Sequence, residues 1–233
     1  VGTWSVEELE TVCAQGSQAL NIEIDSEARA MFIRCAANNI GIFKDFLQKY
    51  CQEFSVYQTQ TSKKILSNSS STIKVAEEVI AEAYTPLHDR IINLAIPQRD
   101  RKDSKRMRLK IVIAVLRLIV EDADANSKIG IHLNTIKSKL DTLCREWEVD
   151  LINISNLTQE LGLIHLREEN RQTGINFIPL FYFDKANKKL LILEPTVYVL
   201  KEYNSSLLSD IADELEKSVK GSSEIEQQTL VMS

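Results

Sequence analysis

Read for the spacing of its apolar positions, the chain has a long helical part and a shorter part where the period falls toward two. Ser5 is followed three positions on by Glu8, a capping-box pattern that predicts a helix toward Gln18 with Leu9, Val12 and Cys13 on one face. The link ALNIEID leads to a cap at Asp25 or Ser26. The second helix repeats Ala28, Met31, Phe32 and Cys35 at three and four residues. A third is predicted from about Ile40 to Tyr50, burying Ile42, Phe43, Phe46 and Leu47, which completes a small three-helix bundle.

TQTSKKILSNSSST is polar, offers little to a core and reads as a linker. An amphipathic helix is expected over Ile73 to Tyr84, another after Pro86 toward Ile96, and a strongly apolar one over Met107 to Val120. Leu133 to Trp147 reads as helix. A further helix starts at Asn153 or Ser155 and stops at Gly162, the residue suited to a left-handed C-cap. Its apolar residues Ile154, Leu157 and Leu161 are expected to face inward, leaving Asn156, Thr158, Gln159 and Glu160 outside. LIHLREE then reads as a strand, with His165 at an alternating position. NFIPLFYFD and KLLILE, separated by KANK, read as a hairpin, and Pro195 opens a last short helix.

The expected fold is mainly α, a small three-helix lid-like bundle followed by a winged-helix domain with a small antiparallel β wing. The bundle occupies 1–60, a linker and connecting helices 61–104, the winged-helix domain 105–216 and a polar tail 217–233. Three helices followed by a two- or three-stranded wing is the order of a winged helix.

Composition is that of an ordinary globular protein: 44% apolar and 26% charged residues, with 7 glycines and 4 prolines, which favours helices over many-turned β folds. The longest apolar run, Ile111 to Val120, is interrupted by Arg117 and falls short of the ~20 residues that span a bilayer. No membrane partner is expected, and a cytoplasmic location is the default. The chain begins without an initiator methionine, in mid-phrase, and is expected to be a fragment of something longer.

Cys13, Cys35, Cys51 and Cys144 lack paired spacing and are read as reduced core thiols. His88, His132 and His165 are scattered, so no metal site is expected, and no nucleophile stands beside an obvious base, so no catalytic residue is assigned. The acidic pairs Glu7-Glu8, Glu77-Glu78 and Glu168-Glu169 read as solvated faces.

The net charge of −5 offers no global attraction for nucleic acid, so a basic surface must be local. Between Arg99 and Lys110, seven basic residues stand against two acidic ones. Of these, Arg99, Arg101, Lys102, Lys105, Arg106 and Arg108 are candidate phosphate contacts, because each neutralised phosphate releases counterions. Lys185, Lys188 and Lys189 cluster in the hairpin turn and form a second candidate patch. The helix before Gly162 carries no Arg or Lys on its expected outer face, so base-specific reading by it alone is not expected.

WSVEELETVCAQGSQALNIEIDSEARAMFIRCAANNIGIFKDFLQKY resembles the helical lid that follows the nucleotide-binding core of AAA+ and related P-loop ATPases, including the origin-recognition and transposition-regulator branches. In such lids a turn like Asn38-Asn39-Ile40-Gly41 starts the last helix, so the resemblance implies that Asn38, Asn39 and Gly41 face nucleotide. Many lids place a phosphate-touching arginine there; this chain has Gly41 or its neighbours. INISNLTQELGLIHL with FYFDKANKKLLILEPTVYVL is similar to winged-helix domains that end many of these ATPases. A phosphate-cradling G-x-x-x-x-G-K-[ST] loop is absent from the sequence, so no cofactor and no hydrolysis are expected of this chain, ATP and magnesium belonging to a longer parent. Its expected partners are double-stranded DNA, its own ATPase core or other subunits. The alternatives are a protein-interaction module with a purely structural winged helix, and a stand-alone winged-helix regulator.

Overall fold

The computed structural model describes residues 4–96, 102–121, 130–169 and 178–231, with the backbone alone at 102–105, 169 and 220–231. It is mainly helical, with a small antiparallel three-stranded sheet and a two-stranded parallel one. Two compact units are present: Val1–Thr85 with Tyr198–Tyr203, and Pro86–Val197 with Asn204–Ser233.

In the first unit, α1 (Val6–Leu20) starts at the expected capping box: Glu8 N–H donates to Ser5 Oγ at 3.2 Å and Ser5 N–H to Glu8 Oε2 at 2.7 Å. It ends at Asn21, whose φ of 54° gives the left-handed cap. β1 (Ile22–Ile24) follows, then α2 (Ser26–Cys35), capped by the Asp25 carboxylate, and α3 (Ile40–Glu53), capped by Asn39. Phe32 and Phe46 stack with centroids 5.2 Å apart, and Tyr50 meets Phe32 edge-on, so the aromatic centre joins α2 to α3.

The polar stretch expected to be a linker carries β2 (Lys64–Leu66), which pairs in parallel with β1 in the register Ile22↔Lys64 and Ile24↔Leu66. Leu66 is fully buried, and its carbonyl accepts from Asp25 N–H and the Tyr50 hydroxyl. One apolar residue and a ladder of backbone bonds dock the stretch, although its composition is that of a loop. The two helices read on either side of Pro86 are one, α4 (Ser69–Ala95), with Pro86 inside it. The boundary between the compact units falls at Thr85 and Pro86.

The second unit is built around α5 (Lys102–Glu121). Ile111 to Leu116 and Ile119 are all closed to solvent, as expected of a helix apolar on every side. After β3 (Ile131–His132) come α6 (Leu133–Glu146), α7 (Ile154–Glu169), β4 (Phe181–Asp184), β5 (Lys189–Ile192), α8 (Pro195–Asn204) and α9 (Ser206–Val231). The sheet order is β3-β5-β4, both pairs antiparallel, with Ile131↔Leu190 and Phe183↔Leu190 in register.

Two expectations are corrected here. LIHLREE is the second half of α7 and not a strand; the third strand is Ile131–His132, ahead of α6. Gly162 lies within α7 and has no positive φ, so it caps nothing. The helix continues because Leu157, Leu161, Ile164 and Glu168 keep the three- and four-residue spacing and are all buried. That spacing outweighs the cost of about 1 kcal/mol for one interior glycine. The expected polar tail is also helical through Val231, as part of α9. α9 is bound to α5 by Arg117, which donates to Ser209 Oγ at 2.9 Å, Glu216 Oε2 at 2.8 Å and the Asp213 carboxylate.

Candidate nucleic-acid interface

The hairpin presents lysines because its turn is fixed by an aspartate. Asp184 Oδ1 accepts from the N–H groups of Ala186 and Asn187 at 2.9 and 3.2 Å, and Oδ2 from Asn187 Nδ2 at 2.7 Å. These bonds, the one from the Asn187 side chain foremost, hold the Asp184 carboxyl below its usual range. Lys188 takes the left-handed conformation, φ 51°, which closes the four-residue turn. Its carbonyl accepts from Leu133 N–H at 2.8 Å, so the turn is pinned to the start of α6. Lys185 and Lys188 are exposed and Lys189 is half-buried. The three lysines are thus brought to one turn and the strand residue that follows it.

The first basic segment fares differently. Arg99 and Arg101 lie outside the described residues, and of Lys102 and Lys105 only the helical backbone is described. Arg106 is half-buried and already engaged within the protein. Arg108 is a correction: it is 0% exposed, and its Nε donates to Glu160 Oε1 at 2.9 Å and its Nη1 to the Leu94 carbonyl at 3.5 Å. A guanidinium placed there cannot meet phosphate. Glu160 is corrected with it, since it is 3% exposed and also accepts from Arg167 Nη2 at 2.9 Å.

Without Glu160, the outer face of α7 changes character. Ser155, Asn156 and Gln159 are exposed, Thr158 is half-buried, and Ile154, expected inside, is 47% exposed. Asn153 Oδ1 accepts from Asn156 N–H at 2.8 Å and serves the first turn. The face is uncharged, polar and partly apolar.

His132 is the N-cap of α6, its Nδ1 accepting from Asn134 N–H at 3.2 Å. His165 packs against Tyr182 with ring centroids 5.2 Å apart. Glu168, expected on a solvated face, is 6% exposed and bound to Arg90. No local pattern marks Arg90 in the sequence, because its partners Glu168 and Glu194 lie 78 and 104 positions away.

In the first unit, Asn39 Oδ1 accepts from the N–H groups of Gly41 and Ile42 at 2.9 and 3.3 Å, and the Asn38 carbonyl from Trp4 N–H at 3.2 Å. The side chain of Asn39 is therefore occupied in capping α3, while Asn38 and Gly41 are exposed. Asn38 has φ 65°, next to Ala37 at 46°.

Among the described residues no group of three or more His, Cys, Asp or Glu is placed to hold a metal ion, and no helix is long and apolar enough to cross a membrane. All four cysteines are free and buried, and desolvation pushes each thiol above its ordinary range, which makes them poor nucleophiles. Comparison with protein families, curated proteins and solved structures finds no match to this chain.

Proposed function

We propose that the second unit is a winged helix whose wing is the β4–β5 hairpin, and that the chain is the non-catalytic C-terminal region of a P-loop ATPase. In this reading it couples nucleotide state to assembly and to engagement of duplex DNA or a partner. One observation carries the proposal: helix, short strand, two helices and hairpin follow in that order, with the short strand paired to the second strand of the hairpin. The fixed turn then leaves Lys185 and Lys188 exposed, Lys185 lying beside α7, with Lys189 half-buried next to them, where a wing tip would lie along a phosphate backbone. In the same reading the first unit is the lid, with Asn38, Asn39 and Gly41 at its nucleotide-facing turn. Asn39 would present backbone there, its side chain being committed to the helix cap. The ATP and magnesium of a parent enzyme would be held elsewhere.

Fluorescence anisotropy with a duplex at about 50 mM salt tests the DNA arm. Lys185→Glu with Lys188→Glu is expected to weaken binding, and the slope of log K against log salt should become shallower by ~0.9 for each phosphate that is no longer neutralised. Binding unaffected by both reversals would refute the wing assignment. Magnesium-dependent ATP turnover by the purified chain would refute the non-catalytic assignment.

A second reading, a protein-interaction module, is favoured by one observation. Leu166, Ile178, Tyr182 and Leu193, on the end of α7 and along the hairpin, are 41, 39, 41 and 37% exposed. Isolated apolar residues at a surface are ordinary. Four in this region give a protein partner apolar area that a phosphate backbone would not use. Duplex binding that is absent at low salt would favour this reading over the first.

A further inference from the structure

We propose that Arg90 is the positioning residue of the hairpin, fastening both of its ends to α7 so that Lys185 and Lys188 are held in one stance. Arg90 comes from the second half of α4, within the same compact unit as the hairpin. Its Nε and Nη2 donate to Glu168 Oε1 at 3.0 and 2.8 Å. Nη2 also donates to the Ile178 carbonyl at 2.7 Å, and Nη1 to the Glu194 carboxylate.

These acceptors sit at three roots. Glu168 closes α7, Ile178 precedes β4 and Glu194 follows β5. Each carboxylate is committed further. Glu168 Oε2 accepts from Leu180 N–H at 2.7 Å, while Glu194 Oε1 accepts from the N–H and hydroxyl of Thr196 at 3.2 and 2.8 Å and so caps α8. Leu193 N–H donates to the Leu180 carbonyl at 2.9 Å, which closes the base of the hairpin inside this frame.

A flat guanidinium suits the task because its five N–H groups are fixed in one plane and can serve several acceptors together. An ammonium offers a single centre and cannot reach all three roots. With the Glu168 side chain only 7% exposed, its charge needs the cation, and Arg90 is itself only 22% exposed. α5 packs on α6, and each buries apolar residues remote in sequence from Arg90, Ile113 and Leu116 in the one and Ile136 and Leu140 in the other. Loss of Arg90 should therefore be felt at the hairpin before it is felt in that core.

The clamp stands on these bonds alone; only its consequence for DNA rests on the winged-helix reading. Hydrogen exchange by mass spectrometry on the full chain tests it. Arg90→Ala should speed exchange in peptides covering 178–194 by about tenfold or more, with α5 and α6 peptides unchanged, since local opening is governed by local contacts. Arg90→Lys should fail to restore protection. Glu194→Gln, which removes one arm and leaves Glu168 paired, should give a smaller increase confined to the same peptides, and serves if Arg90→Ala does not fold. Unchanged exchange at 178–194 would overturn the proposal, and so would an increase spread equally over α5 and α6. In duplex binding, Arg90→Ala and Lys185→Ala with Lys188→Ala should be non-additive, because each removes the same wing contact; additive losses would overturn the coupling. Local loosening in a protein that binds no duplex would uphold the clamp and overturn the DNA arm of the function proposed above.

Discussion

Arg108 donates from Nε to Glu160 Oε1 at 2.9 Å, with both side chains shut away from water between α5 and α7. Taking two charges out of water is costly and is offset only by close pairing with further hydrogen bonds, here from Arg167 and to the Leu94 carbonyl. Removing one partner strands the other. Arg108→Ala should destabilise the second unit by about 3–5 kcal/mol, whereas the double change Arg108→Met with Glu160→Leu, which leaves neither charge of the pair buried but takes the carboxylate from the partly exposed Arg167, should cost less. Urea denaturation of the two variants measures the difference. Equal losses would mean that the pair is hydrated and not buried.

Gly162 makes room for a lysine. A Cβ at that position would lie 2.8 Å from Lys185 Cε and 3.3 Å from its Nζ, so the lysine stem crosses α7 over the glycine. The obstacle is the end of a flexible side chain, and the backbone is ordinary helix. Gly162→Ala should therefore stabilise the helix by up to about 1 kcal/mol while displacing Lys185. A thermal melt reads the first effect and the Lys185 side-chain NMR resonances the second. A C-cap glycine would behave oppositely and lose stability on the same change.

His88 joins α4 to α9, its Nε2 2.9 Å from Glu214 Oε2 and its Nδ1 3.3 Å from Asp89 Oδ1. The hydrogen bond to Glu214, followed by that to Asp89, raises its pKa above the usual 6.5 despite partial burial. For a group raised on folding, the stabilisation is complete below the unfolded pKa and lost as pH climbs through the folded one. The contribution should thus be present below about pH 6.5 and fade above it. As a surface pair it should amount to less than about 1 kcal/mol. Stability of wild type and His88→Gln measured from pH 5.5 to about 8.5 should converge at the upper end; a gap that widens with pH would contradict the pairing.

Asn39 caps α3 with one oxygen that accepts two backbone N–H groups. Asn39→Ala should cost about 1 kcal/mol, as loss of a side-chain cap does. Asn38→Gly should move the other way by relieving the left-handed φ of 65°. Chemical denaturation of both variants checks the signs.

What the sequence determined by itself is local. The Ser5–Glu8 capping box, a cap at Asp25 or Ser26, the start of α3, the apolar α5 and the β4–β5 hairpin were all legible, because each depends on residues within a few positions of one another. The lysine-bearing turn was legible for the same reason. The tertiary structure decided the rest. Only a core 52 positions away turns Arg108 from a solvated cation into a buried one and Glu160 from an outer residue into its partner. Period two and period 3.6 agree too well over LIHLREE to choose between strand and helix, and the packing of Ile164 and Glu168 made the choice. Leu66 alone could not announce β2 until Ile22 and Ile24 offered a ladder to pair with. The Arg90 fastening is the extreme case, since a long-range charge pair leaves no periodic trace in the chain.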